Sequence, residues 1–189
     1  MMLEFGATVR AYPGEACSGD AAVIHNDADA VLFGVVDALG HGTAAAAAAN
    51  RATELLSGTS LREPIATIVR ELDLGLRGGR GAAAMLCLVR GDELEGCGVG
   101  NVELRTIGMR IGVVTTPGVL GRGPAVRPRT FAARLVPGVR MVVFSDGVSG
   151  RLRADHRRAL AAQAASAALL EEWGRETDDA AVLVADVTP

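Results

Sequence analysis

Five aspartates sit where apolar runs break into turns: Asp20 after PGEACSG, Asp37 at the end of VLFGVV, Asp146 at the end of VRMVVFS, and the adjacent Asp178 and Asp179 just ahead of AAVLVA. A carboxylate at the mouth of a buried strand costs free energy unless something pairs with it. None of the five has an arginine beside it, and the chain contains no lysine at all. If these strand ends converge, mutual repulsion would raise the carboxyl pKa values or open the site. Hard divalent cations resolve that conflict, and carboxylate oxygens with water suit magnesium or manganese. Asp37 is placed centrally enough to bridge two ions. Two metals about 3.5–4 Å apart form the arrangement used for in-line displacement at phosphorus. The remaining acids in turn-like contexts, Asp27 and Asp29 in HNDAD, Asp92 and Asp155, read as solvated turns or helix starts.

Bulk composition narrows the alternatives. All 19 basic residues are arginine, which excludes a GK[ST] phosphate loop and any lysine Schiff base. An aromatic content of 3% leaves no stacking platform for single strands, and a net charge of −3 argues against a nucleic-acid backbone partner. No span is long and apolar enough for a membrane helix, and MMLEFGATVRAYPGE lacks the basic start of a signal peptide. Cys17, Cys87 and Cys97 are odd in number and have no CxxC spacing, so neither a disulfide framework nor a zinc ribbon is expected. A reducing cytoplasm and no membrane partner are the expected setting. The 189 residues fit one domain, 1–189, with a sizeable core.

The elements that must position the acids follow from periodicity. Strands are expected near 4–11, 20–25 and 31–36, the last apolar on both faces. A helix of alanines is expected over 43–56, closed by Ser57 and Gly58; having no bulk, it can lie very close to whatever it covers. A second helix is expected from Ser60, with Glu63 completing a capping box and Leu61, Ile65, Ile68, Leu72 and Leu76 on one face. Further strands are expected near 82–89, 94–99, 102–107, 109–115, 130–136 and 139–144. A third helix over 155–172 and a final strand, AAVLVAD, complete the order. Helices between groups of antiparallel strands do not alternate as βαβ units. The pattern is α+β, two sheets face to face with helices outside.

PGEACSGD, GVVDALGHG, VVFSDGVSG and TDDAAVLVA, in that order, resemble the PPM-type (protein phosphatase 2C-like) serine/threonine phosphatases, within them the SpoIIE group. GVGNVELR and PGVLGR are most similar to the stand-alone stressosome phosphatases of the RsbX type. The resemblance implies an αββα sandwich, two divalent cations (manganese or magnesium), and hydrolysis of phosphoserine or phosphothreonine by a metal-bridging hydroxide. It implies a metal set of Asp20, Asp37, the backbone carbonyl of Ala38, Asp146 and Asp178, with Asp37 and Asp146 also catalytic and Asp179 in a supporting place. It further implies a phosphorylated protein partner, such as a stressosome scaffold or an anti-sigma-antagonist-like protein, and no room for the sensor or membrane domains of larger relatives. One departure stands out: the family has glycine where this chain has Ala38, which would strain a turn needing positive φ.

Two other readings belong to different classes. A phosphoprotein-binding module that keeps the fold without turnover would follow from a failed metal site at Ala38. A phosphatase for small phosphoesters is the other. His41 could serve as a general acid, although a histidine between Gly40 and Gly42 more simply hydrogen-bonds within its own turn. Asn101 reads as a turn residue; Arg122, Arg127 and Arg129 as solvated arginines; and GLRGGRG (75–81) as a helix-to-strand turn rather than a phosphate nest.

Overall fold

The computed structural model of the chain describes residues 1–27 and 29–189. Its strands are β1 (Met2–Arg10), β2 (Asp20–Asp27), β3 (Ala30–Ala38), β4 (Ala82–Arg90), β5 (Glu93–Val99), β6 (Glu103–Ile107), β7 (Thr115–Thr116), β8 (Thr130–Arg134), β9 (Arg140–Phe144) and β10 (Ala180–Thr188). Helices α1 (Thr43–Ser57), α2 (Ile65–Gly75) and α3 (Ala162–Trp173) lie outside them. One sheet runs β1-β10-β9-β6; the other runs β2-β3-β4-β5-β7, with β8 also pairing β5. All ladders are antiparallel except the two-residue pairing of β7 with β5. Among the described residues, no helix is long and apolar enough to cross a membrane.

Three apolar layers hold the sandwich. Phe33, Val35, Met85 and Cys87 meet Met141, Val143, Ala181 and Leu183 between the sheets. Leu56, Ile68, Leu72 and the alanines of α1 cover the outer face of the β3–β4 sheet, while Ala165, Leu169 and Leu170 of α3 cover the other. β4 is buried along nearly its whole length, as a central strand between covered faces must be.

Three local expectations are corrected. The capping box at Ser60 and Glu63 does not form; α2 begins at Ile65, after Pro64, because proline disfavours a helical conformation for the residue before it. The Ile65 amide instead donates to the Glu95 carboxylate from β5 at 3.2 Å, and Arg90 donates to the Leu61 and Glu63 carbonyls. The strand expected over 109–115 shrinks to Thr115–Thr116. Met109, Ile111 and Val113 do pack toward the inter-sheet core, so the alternation reports burial correctly while no ladder forms.

The third helix is also shorter than expected: residues 155–157 form one 3₁₀ turn and α3 starts at Ala162. Arg140, 4% exposed, explains the break. Its guanidinium takes the carbonyls of Arg157 (2.8 Å) and Leu160 (2.6 Å) while pairing with Asp186, so those oxygens serve a tertiary bond rather than a helix.

The alanines of α1 let the helix sit directly on the strand ends that carry Asp20 and Asp37. Ala45, Ala49 and Ala52 are essentially fully buried. A Cβ placed on Gly19 would come within 2.7 Å of the Ala45 methyl. Ala45→Leu is therefore expected to cost about 1–3 kcal/mol by overpacking, read as a lowered denaturation midpoint, whereas Ala47→Leu, on the exposed side of the same helix, leaves the midpoint unchanged.

Candidate metal centre

Antiparallel pairing of β2 with β3 sets Asp20 directly opposite Asp37. In the other sheet, Asp146 lies two residues past the end of β9, after Ser145, and Asp178 stands just ahead of β10, which is paired with β9. Each sheet thus delivers two carboxylates to the same end of the sandwich. The structure brings Asp20, Asp37, Asp146 and Asp178 together: the other three all act electrostatically on Asp37. Asp20 is deepest, at 6% exposure; Asp37 and Asp178 are half-buried; Asp146 faces solvent. The cluster is open on the Asp146 side.

Burial pushes the Asp20 carboxyl up to about 7, with a hydrogen bond from Ser145 opposing and the charges of Asp179, Asp146 and Asp178 adding to the rise. Asp37 goes up to about 8, first by burial and then by repulsion from Asp20, Asp146 and Asp178. Asp178 is raised by burial and then by Asp146, with His41 in partial opposition. Arginine is absent from the groups acting on these three among the described residues. An all-oxygen donor set carrying uncompensated negative charge at the edge of a dry core fits a hard dication. Among the described residues, no group of three or more histidine, cysteine or acidic side chains stands close enough to hold a metal ion as placed. The side chains would have to draw in around a cation.

Two supporting side chains, Ser145 and Asn101, are not marked as such by the sequence. Ser145 Oγ–H donates to Asp20 Oδ2 at 2.5 Å and accepts the Ala181 amide at 3.0 Å, joining the two sheets beneath the acids. Asn101 is no mere turn residue: its Nδ2–H donates to Asp146 Oδ2 at 2.6 Å and fixes that carboxylate. The only signal for either was proximity to FSDG or GVGN. Asp179, 3% exposed, is a clamp, accepting the Tyr12 amide (2.7 Å) and the Gly19 amide (2.8 Å). It thereby closes residues 11–19 over the cluster.

His41 does not bond within its own turn. Its Nδ1 lies 3.0 Å from Glu15 Oε1, and its ring stacks on Tyr12 with centroids 4.5 Å apart. The strain feared at Ala38 does not arise, since no residue other than glycine has positive φ among those described. Ala38 ends β3 in ordinary extended backbone, its amide donating to the Gly19 carbonyl at 2.9 Å. The left-handed positions of this turn fall on Gly40 (φ 82) and Gly42 (φ 74) instead. Arg122, Arg127 and Arg129 are exposed, as expected. The three cysteines are free, and burial pushes Cys87 up to about 12 and Cys97 up to about 11, so neither is a nucleophile at neutral pH.

A raised carboxyl pKa in the folded state means the native protein binds protons more tightly than the unfolded chain. That stability is full below the ordinary carboxyl range and is lost as pH rises through the values near 7 and 8 of Asp20 and Asp37. Chelator-treated protein is expected to lose roughly 5 °C or more of Tm between about pH 5 and about pH 8.5. Manganese should restore stability most at the higher pH, because cations and protons compete for the same oxygens. Asp37→Asn should flatten the pH slope and remove the manganese increment; a wild-type Tm that is flat in pH and indifferent to manganese would contradict the site.

No protein-family model matches the chain, and no curated protein does. Solved structures do. One, from work on the bacterial stressosome as a modular system adapted to control secondary messenger signalling, is 30% identical over 98% of this chain and 100% of its own, with a TM-score of 0.88. RsbX in complex with magnesium is 19% identical over 98% of this chain and 96% of its own, at 0.84. The Mycobacterium tuberculosis serine/threonine phosphatase PstP/Ppp is 16% identical over the whole of both chains, at 0.74. With its two sheets, outer helices and acid-bearing strand ends, the chain has the fold of the PP2C-like serine/threonine phosphatases.

Proposed function

We propose that the chain is a metal-dependent phosphatase acting on phosphoserine or phosphothreonine of a protein partner. The observation that carries this reading is the convergence of Asp20, Asp37, Asp146 and Asp178 at one end of the sandwich, with no arginine among the described residues named as acting on Asp20, Asp37 or Asp178. In this reading Asp37, on which the other three carboxylates act, would be the central metal ligand; Asp20 is its partner across the β2–β3 ladder, and Asp146 and Asp178 come from the second sheet. The Ala38 carbonyl completes the proposed donor set. When bound, divalent cations of the magnesium or manganese type would supply a nucleophile at neutral pH and neutralise charge on the transferring phosphoryl group.

The chain's own contribution is orientation and proton control. Ser145 holds the Asp20 rotamer, Asn101 holds Asp146, and Asp179 keeps the 11–19 segment seated above them. Burial and neighbouring charge raise the Asp37 carboxyl, so it must be deprotonated for all four carboxylates to act as donors, which makes the site more competent as pH rises. A stressosome-like phosphoprotein as partner is supported by the 30% identity to the structure from the stressosome work. A reducing cytoplasm is supported by three unpaired thiols.

A phosphoprotein-binding module without turnover is the second reading, favoured by the unclosed donor set. Manganese-dependent hydrolysis of p-nitrophenyl phosphate separates the two. The phosphatase reading expects turnover that falls at least about 100-fold in Asp37→Asn and Asp146→Asn. Asn101→Ala is expected to need roughly 10- to 100-fold more manganese for half-maximal rate. Wild-type protein that binds phosphopeptide yet shows no turnover at saturating manganese would establish the module instead.

A further inference from the structure

A groove of about 300 Å³ runs between α1 and the end of α2, lined by Ala44, Ala47, Arg51, Leu76, Arg77 and Arg80 among others. Its floor is low because α1 presents methyl groups there, and its rim is basic. The arginines are poorly compensated. Among the described residues, Arg51 pairs only with the exposed Glu54 carboxylate, at 3.6 Å. Arg77 pairs, among the same residues, only with Asp73, at 3.9 Å. That carboxylate is 3% exposed and already accepts the Gly121 amide at 2.8 Å and the Val126 amide at 3.3 Å. Arg80 donates to a neutral acceptor, the Leu39 carbonyl, at 3.2 Å.

Position gives the groove its meaning. Arg80 Nη1 lies so close to Gly40 that a Cβ there would meet it at 2.6 Å. Gly40 belongs to the turn that follows Asp37, so the basic rim begins beside the acidic cluster and leads away along α1. Across a chain of net charge −3, three arginines on one groove form a local attraction for negative charge. A protein substrate whose phosphoresidue enters the cluster would extend its flanking residues along this channel. We propose that the groove between α1 and α2 receives an acidic segment of the phosphoprotein, with Asp or Glu side chains flanking the phosphoresidue paired to Arg51 and Arg77. The inference rests on the phosphatase reading and adds the substrate's local sequence chemistry to it.

Two synthetic phosphoserine peptides test it, one flanked by glutamates and one by glycine and serine, with p-nitrophenyl phosphate as a reference that cannot reach the groove. Wild-type enzyme with manganese at low salt is expected to prefer the acidic peptide in kcat/KM by roughly three- to tenfold. The preference should shrink in high salt and vanish or invert in Arg51→Glu/Arg77→Glu, with p-nitrophenyl phosphate turnover unchanged. Equal use of the two peptides, or a preference that survives the charge reversal, overturns the proposal. Should manganese-dependent turnover be absent altogether, the phosphatase reading fails by itself. Fluorescence anisotropy of the labelled peptides then reads the groove directly, with the same preference and reversal expected. Binding of a single-stranded RNA of equal charge as tightly as the acidic peptide, lost in the same variant, would also overturn it, because the groove would then be a general polyanion site.

Discussion

Four carboxylates held close at the edge of a dry core are a standing electrostatic conflict, and much of the chain exists to sustain it. Repulsion alone would push the two sheets apart at this end. What opposes it is the apolar contact between the sheets together with polar crossings, among them the Ser145 hydroxyl, bonded to Asp20 in one sheet and to Ala181 in its own, and the Asp179 carboxylate on the Gly19 amide. A hydroxyl is suited to that place because it donates to a carboxylate while accepting from an amide, so both the Asp20 carboxylate and the Ala181 amide are paired there. The raised proton affinities of Asp20 and Asp37 come first from burial and then from this repulsion.

The helices answer the same demand from outside. Residues 11–19 and the Gly40–Gly42 turn need a cover that leaves no space above them, and only a side chain as small as alanine permits the approach seen between Ala45 and Gly19. Bulk is supplied by α2 instead, whose Ile65, Ile68 and Leu72 fill the layer that α1 leaves thin. Small residues near the acids and large ones farther away are one design, since close approach matters where groups are aligned and volume matters where they are not.

Legibility in the sequence followed the range of the interactions involved. Strand ends bearing aspartate were readable because an acid at the end of VLFGVV or VRMVVFS is anomalous on its face. The two-sheet order was readable from periodicity. Two of the corrected expectations have a distant side chain in common. Residues 60–64 carry a capping-box spelling, but Glu95, 30 positions later than Ile65, caps the helix. Residues 158–161 have a helical composition, but Arg140 removes the carbonyls that a helix would use. Asn101 and Ser145 matter through partners 45 and 125 positions away, and nothing local distinguishes them from ordinary turn residues. Local spelling failed wherever a distant side chain took over a backbone group.

The Asp179 clamp carries a temporal consequence. Its carboxylate holds amides 167 and 160 positions earlier in the chain. Contacts so distant along the polymer form late, after the loop-closure cost has been met. During synthesis the loop above the acids lacks this clamp until residue 179 has left the ribosome, and Asp178 arrives in the same moment. A partly made chain lacks β10 as well, the strand that joins β1 to β9, so one sheet of the sandwich and the acid cluster are completed together.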